Sequence, residues 1–358
     1  DRLNESDPPP PCSNDDAAIQ AIRSTVEVNE QPPHARQSTD GLNETTRGSD
    51  GETDDLATDA GAANERATAT GRRPPNAVCQ LVRLLLRRFR LFFRDTGYLG
   101  LTAAITVGFP IMVVIFALDG LPQIESLALS KDAGLIEQFT EQVRLKVDHL
   151  RTSQLVTGLI MFQVILLTLM GSNNGAREIA AERTLYEKER LSGLSPTAYV
   201  SSKFLFCGAL AVLQGLYMTA FVKYICGFPG DFAPQALILS LVCASMTWVC
   251  LGFSALFPTP ERASLVSIYL VGFQLPLSGV VLALPEWLTW VCRPFINTYW
   301  GWAGYLTTLR DSRIYDAWQQ SQAEWAWLPA VGLAIGVLLA QGLCGLAACF
   351  VGCWQRRW

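Results

Sequence analysis

The sequence predicts an all-α integral membrane protein: six transmembrane helices, an N-terminal interfacial connecting helix and a disordered N-terminal tail. Three observations carry that prediction. Half of the 358 residues are hydrophobic, yet the mean hydropathy is only +0.23 and the formal net charge −4, so two unlike regions are being averaged. The division falls near residue 75: no aromatic residue precedes Phe89, and all ten Trp lie at or beyond Trp248. Beyond it, Leu, Val, Ala, Gly and aromatic residues run in blocks long enough to cross a bilayer core, which takes about 20 helical residues.

Residues 1–74 read as a disordered acidic linker or tail. Acidic side chains outnumber basic ones there by about two to one, and the runs Pro8-Pro-Pro-Pro11 and Asp50-Gly-Glu-Thr-Asp-Asp55 follow no helical or strand period. So little apolar area cannot offset the entropy of ordering the chain. Asn4-Glu-Ser6 and Asn43-Glu-Thr45 match glycosylation sequons, which stay silent on a cytoplasmic tail. Residues 75–96 follow as an amphipathic helix in which Arg83, Arg87, Arg88, Arg90 and Arg94 interrupt Leu, Val and Phe on a helical period. Such a helix lies in the membrane interface with its guanidinium groups toward lipid phosphates and water. The adjoining apolar block assigns this basic cluster to membrane lipids, with no nucleic acid as partner.

The membrane domain, 97–358, holds six spans, placed at 98–118, 155–171, 204–226, 236–257, 263–284 and 326–353. Basic residues gather at 72–94, in 177–203, at Arg262 and at Arg356 and Arg357, so the positive-inside rule puts both termini in the cytoplasm. Arg144, Lys146, Arg293, Arg310 and Arg313 fall on the far side. There, 132–150 carries Phe139, Val143, Val147 and Leu150 on one helical face and is expected to lie along the outer surface. The outer segment 285–325 is too aromatic and too broken for a span; it fits a dipping or interfacial helix with Trp at headgroup depth. Lys223, near the outer end of its span, is expected to snorkel.

Polar residues within the spans are few: Gln163, Thr247, Gln274, Ser278 and Gln341. Such side chains usually bridge between helices. Pro276 removes a backbone donor and predicts a kink in the fifth span. The ten cysteines stand singly, mostly inside apolar blocks, with no C-x-x-C spacing, and read as small buried hydrophobes. Cys226 and Cys292 are the one pair that could both face the exterior, which leaves a disulfide between them open. With His34 and His149 the only histidines, no histidine-based metal centre is expected.

The loop 173–203 is the most informative stretch. Gly175-Ala-Arg-Glu-Ile-Ala-Ala-Glu-Arg-Thr-Leu-Tyr-Glu-Lys-Glu-Arg190 reads as a charged helix between two apolar spans. Glu178 and Glu182 stand four apart, as do Arg183 and Glu187, and Glu182 and Tyr186, so a helix here gains lateral pairs contributing about 0.2–0.5 kcal/mol each. Read alone, this is either a solvated connector or a lever on which a cytoplasmic partner acts.

The order of the parts decides between these. A basic interfacial helix, a span, an outer loop, a span, a loop helix with Glu-Arg-x-x-Tyr-Glu-x-Glu-Arg, and Ala198-Tyr-Val-Ser-Ser-Lys203 opening the next span resembles the membrane half of type-2 ATP-binding-cassette (ABC) exporters, subfamily G-like. Leu191-Ser-Gly-Leu-Ser-Pro196, where eukaryotic members are more aromatic, points to a bacterial-type relative and the bacterial inner (plasma) membrane. The resemblance covers about residues 76–358 and implies a loop helix that docks on a nucleotide-binding domain. It carries that coupling role to Glu178, Glu182, Arg183, Tyr186, Glu189 and Arg190, and the connecting-helix role to Arg87, Arg88 and Arg90. It further implies a homodimer whose second and fifth spans enclose the substrate path, with Phe162, Gln163, Gln274 and Ser278 bordering it.

The function so implied is the permease part of an ATP-driven exporter, moving a lipidic or amphipathic substrate by alternating access. The sequence contains no G-x-x-x-x-G-K-[ST] phosphate loop, so the chain is not an enzyme by itself, and ATP and Mg belong to a nucleotide-binding domain upstream in the same polypeptide or on a separate subunit. The absence of a starting Met fits a downstream piece tethered by 1–74. Two other readings compete. An ion-coupled secondary transporter would carry acidic residues at mid-membrane depth, and the six spans have none. A membrane scaffold without transport would need no lever, and an intramembrane enzyme would need convergent ligands at one depth, whereas both histidines lie outside the spans.

Overall fold

The computed structural model describes residues 76–118, 142–282, 284–321 and 328–355, and every regular element among them is helical. The readings for the 1–74 tail and its sequons, for 132–141 and the side chains of 142–150, and for Arg356 and Arg357 lie outside these residues. All of the described residues belong to one unit, Arg72–Trp358.

Helix α1 (Ala77–Arg94) is amphipathic in the way its sequence requires. Val78, Val82, Leu86, Phe89 and Phe93 form one exposed apolar stripe, and Arg83, Arg87, Arg90 and Arg94 lie exposed beside it at four- and three-residue spacing. Its inner face carries Phe92, whose ring meets Phe206 edge-on at 5.5 Å. Asp95 ends it and starts the next helix, its carboxylate accepting from the Tyr98 amide at 3.0 Å.

Five helices are long and apolar enough to cross a membrane: α2 (Thr96–Ala117), α3 (Gln142–Gly175, apolar from Arg151), α5 (Pro196–Cys226), α6 (Phe232–Leu256) and α11 (Val331–Gln355, apolar to Trp354). Helix α3 is longer than the sequence suggests because its polar first turns still satisfy a helical backbone. The core lies around α6, which α3, α5 and α11 surround. Two close approaches explain the density there. A Cβ on Gly345 would fall 2.5 Å from the carbonyl carbon of Trp248, and one on Gly175 would fall 2.9 Å from the Leu251 amide nitrogen, so α11 and α3 meet α6 backbone to backbone. Asn174 donates to Gln214 at 2.6 Å and Gln214 to the Thr106 hydroxyl at 3.2 Å, tying α3, α5 and α2 with buried amides.

The fifth expected span is not one helix. Helix α7 (Pro260–Gln274) has 15 residues, a rise of about 22 Å, and stops before Pro276. Proline supplies no amide donor and biases the preceding residue out of the helix; a 3₁₀ turn (Pro276–Ser278) follows, and Gly279 at φ 71° redirects the chain. The sequence predicts a kink here, and the structure has a break. After α8 (Glu286–Cys292) and a second 3₁₀ turn (Arg293–Phe295), helix α9 (Asn297–Thr307) is buried along its whole length against α3, α6 and α11. Its last turn reaches the end of the bundle opposite α1, where the Thr307 hydroxyl donates to the Pro329 carbonyl. The end of α7 meets the start of α9 through the hydrogen bonds between Gln274 and Thr298. Helix α10 (Arg313–Ser321) then packs Trp318 against Trp302, ring centroids 6.1 Å apart.

Two smaller expectations are refined. Lys223 reaches past the end of its helix, as expected, but into specific partners: the Gly230 carbonyl at 2.7 Å, the Gln235 side-chain oxygen at 2.8 Å and the Phe228 carbonyl at 3.1 Å, closing the α5–α6 turn. Cys226 and Cys292 are both free thiols, Cys226 being buried.

Candidate functional site

The loop after α3 is not one continuous helix. Residues 176–182 form successive turns, and helix α4 runs from Arg183 to Leu191. The Ser254 hydroxyl of α6 explains the interruption, because it accepts from the amides of both Ile179 and Ala180 at 3.0 Å. The turns bring Glu178 and Glu182 to one place, which their four-residue spacing on a helix would also have done, but now facing inward.

There they meet two cations. Arg88 of α1 reaches Glu178 at 2.5 Å and Glu182 at 3.3 Å, and Lys203 of α5 reaches the same carboxylates at 3.0 and 2.6 Å. The side chains of Lys203 and Glu178 are 5% and 8% exposed, so this neutral four-charge cluster is largely withdrawn from water. Burial by itself would lower the Arg88 pKa; Glu178 and Glu182 more than offset it, holding the guanidinium above its ordinary value. Sequence reasoning assigned Arg88, Glu178 and Glu182 but passed over Lys203. The sequence places Lys203 in the loop 173–203; only the extent of α5 puts it eight residues into an apolar helix, where it demands an anionic partner.

The remaining α4 side chains hold other helix ends. Arg183 donates to the carbonyls of Phe257 at 2.7 Å and Ala255 at 3.2 Å, satisfying orphan acceptors at the end of α6. It also keeps the expected contact with Glu187, at 3.8 Å. Arg190 and Tyr186 both donate to the Cys353 carbonyl in the last turn of α11, at 3.1 and 3.4 Å. Tyr186 stacks on Tyr199 of α5 at 4.4 Å, and burial pushes its phenol pKa up to about 12, so it remains a donor. Glu189 pairs with Arg87. Arg90 lies exposed, without an ion pair among the described residues.

The turns 176–182 and α4 therefore grip α1, α5, α6 and α11 through their charged residues and Tyr186. What they leave exposed includes Ala181, Thr184, Leu185, Glu187, Lys188 and Leu191, the last 91% exposed. Sequence reasoning had no reason to select these, since a hydrophobic residue on a charged helix reads first as core.

Residues 80–301, more than half of the chain, match the ABC-2 type transporter family. The chain belongs to that family. No curated protein matches it significantly. As an ABC-2 membrane domain it is an integral, multi-pass permease part, and such domains work with ABC ATPase domains.

Each residue expected to border the permease's substrate path has its own local contacts. Phe162 packs edge-on against Phe116 at 5.2 Å, and Gln163 is buried with its Nε2 donor unpartnered. Gln274 accepts from the Thr298 amide and hydroxyl at 3.2 and 3.4 Å, and Ser278 donates to Leu275 at 2.7 Å. A further group was missed. Asn297 donates to Ser245 at 2.7 Å and to the Val242 carbonyl at 3.1 Å, both near the middle of α6, and Gln341 near the middle of α11 donates to the Pro294 carbonyl at 2.8 Å. The Arg293 backbone is thereby tied level with the middle of α6 and α11, with its guanidinium carbon 4.5 Å from the Tyr299 ring centre. Placing an arginine at that depth costs about 2.5–3.5 kcal/mol on insertion scales. A desolvated cation–π contact returns about 2 kcal/mol.

Proposed function

We propose that this permease is the transmembrane half of an ATP-driven exporter, acting as a homodimer that moves a lipidic or amphipathic substrate by alternating access. The α1 end faces the cytoplasm, as does each terminus. In support, Arg83, Arg87, Arg88, Arg90, Arg94, Arg177, Lys188 and Arg262 cluster at that end, where the positive-inside rule wants them. The bacterial inner membrane is the setting that the loop sequence after Arg190 favours.

The coupling element is α4 with the turns 176–182. The observation that carries this role is the division of labour on α4: Glu182, Arg183, Tyr186, Glu189 and Arg190 are bound to other helices of the same chain, while Leu185 and Leu191 face outward. A mere connector has no use for two exposed leucines, whereas a nucleotide-binding domain that docks there gains apolar area. Glu178, Glu182, Arg183, Tyr186, Glu189 and Arg190 then act as transmitters, and Ala181, Thr184, Leu185, Lys188 and Leu191 as the contact face. Arg87 and Arg88 carry the same displacement into the connecting helix. When the nucleotide-binding domains close on ATP, a shift of α4 pulls together on the ends of α6 and α11, which is how a small movement reaches the substrate path.

The test is a Leu185→Asp, Leu191→Asp variant. Both side chains are solvent-facing, so the melting temperature should stay within about 2 °C of the parent. Co-purification with the ABC ATPase and ATP-dependent transport should each fall at least about tenfold. Unchanged association would remove α4 as the docking element.

A further inference from the structure

Arg293 is the one Arg, Lys, Asp or Glu among the described residues whose backbone is anchored at the middle of the apolar layer. Three ties fix the depth independently. Gln341, bonded to Pro294, stands ten residues into α11, about 15 Å from its outer end. Asn297 is bonded to Ser245 and Val242, in the middle of α6, and Thr298 to Gln274, the last residue of α7. That depth exceeds the length of an arginine side chain, and the guanidinium rests on the ring of Tyr299, so it does not reach the headgroups.

The group is only partly provided for. No acidic side chain among the described residues pairs with it, its Nε is buried without a partner, and its residue is half-exposed. Its carbonyl accepts from the Trp300 indole at 2.7 Å, which fixes the backbone but does nothing for the charge. The ring contact returns less than the depth costs, so a cation kept here needs an anion or a water-filled path beside it. The surface next to it is apolar and open: Trp290, Val291 and Phe295 are all exposed.

We infer that Arg293 is the recognition point for the negatively charged group of the transported molecule, with Trp290, Val291 and Phe295 taking its apolar body. The substrate class is then an acidic amphiphile: a carboxylate, sulfate or phosphate on a hydrophobic frame. This rests on the exporter reading, in which the exposed face beside α8 lines the path between two copies. An intramembrane cation that holds a substrate anion without neutralising it can release it when the path opens to water, because solvent screens the pair.

Binding, measured apart from transport, tests this. The full chain in phosphatidylcholine nanodiscs is titrated with dansyl-undecanoic acid, with its uncharged methyl ester, and with inorganic phosphate. The acid should bind at least tenfold tighter than the ester, and Arg293→Gln should abolish that preference while leaving ester binding unchanged. Arg293→Lys should keep most of it, which guards against a variant that merely fails to fold. Equal binding of acid and ester by the parent, or an unaltered preference in Arg293→Gln, overturns the assignment, as does phosphate competing as well as the acid. ATP-driven movement of the bound acid is a separate readout: its absence with the preference intact would sink the exporter reading and leave the site standing.

Discussion

Lys203 shows how much one side chain carries. Its ammonium lies between Glu178 and Glu182, almost free of solvent, and no other lysine in the described residues is held by two carboxylates. Lys203→Met should leave Arg88 alone to neutralise two carboxylates, Glu178 buried and Glu182 partly exposed, a loss of about 3 kcal/mol. The melting temperature of the purified protein should drop by several degrees. Adding Glu178→Gln to that background should restore part of the drop, since it removes the charge left unmatched; no restoration would mean that packing, not charge, sets the effect. At this scale the sequence was half legible. The acidic and basic residues of α4 could be read as interacting because their spacing is local, but their actual partners lie on α1, α5, α6 and α11, and no spacing rule reaches that far. The ties of Arg293 were hidden for the same reason: they run through Gln341, distant in sequence, and Asn297, at the end of an irregular stretch.

Among elements, α6 is fixed most tightly, and glycine is the cause. Gly345→Leu should force α11 away from the Trp248 backbone, where no side-chain rearrangement can make room. Gly336→Leu, on the same helix with nothing within 4 Å of the added carbon, should be tolerated. Size-exclusion profiles of the two variants in detergent should therefore separate, the first aggregating and the second eluting as the parent does; similar profiles would contradict the close seam. The long helices were legible because 20 or so apolar residues in a row leave a membrane helix as the one economical solution. The fifth expected span was not, because Pro276 predicts a bend, whereas the helix ends at Gln274 and the buried packing of α9 comes from a later segment.

For the whole molecule, the decisive property is which end meets which compartment. Ser192 and Asp231 are both exposed and stand at opposite ends of the bundle, one after α4 and the other before α6. In a cysteine-free background, Asp231→Cys should react with a membrane-impermeant maleimide added to intact cells, and Ser192→Cys only after permeabilisation. Labelling of both from outside would invert the proposed orientation and take the docking face with it.

Helix α2 has little of its surface covered by the rest of the chain, in contrast to α6. Val113 and Ala117 anchor its inner side in the core, and the Gln214–Thr106 bond and the Phe116–Phe162 ring contact join it to α5 and α3. Most of its length is therefore a flank turned to the surroundings, while α6 is the keel along which the rest is laid.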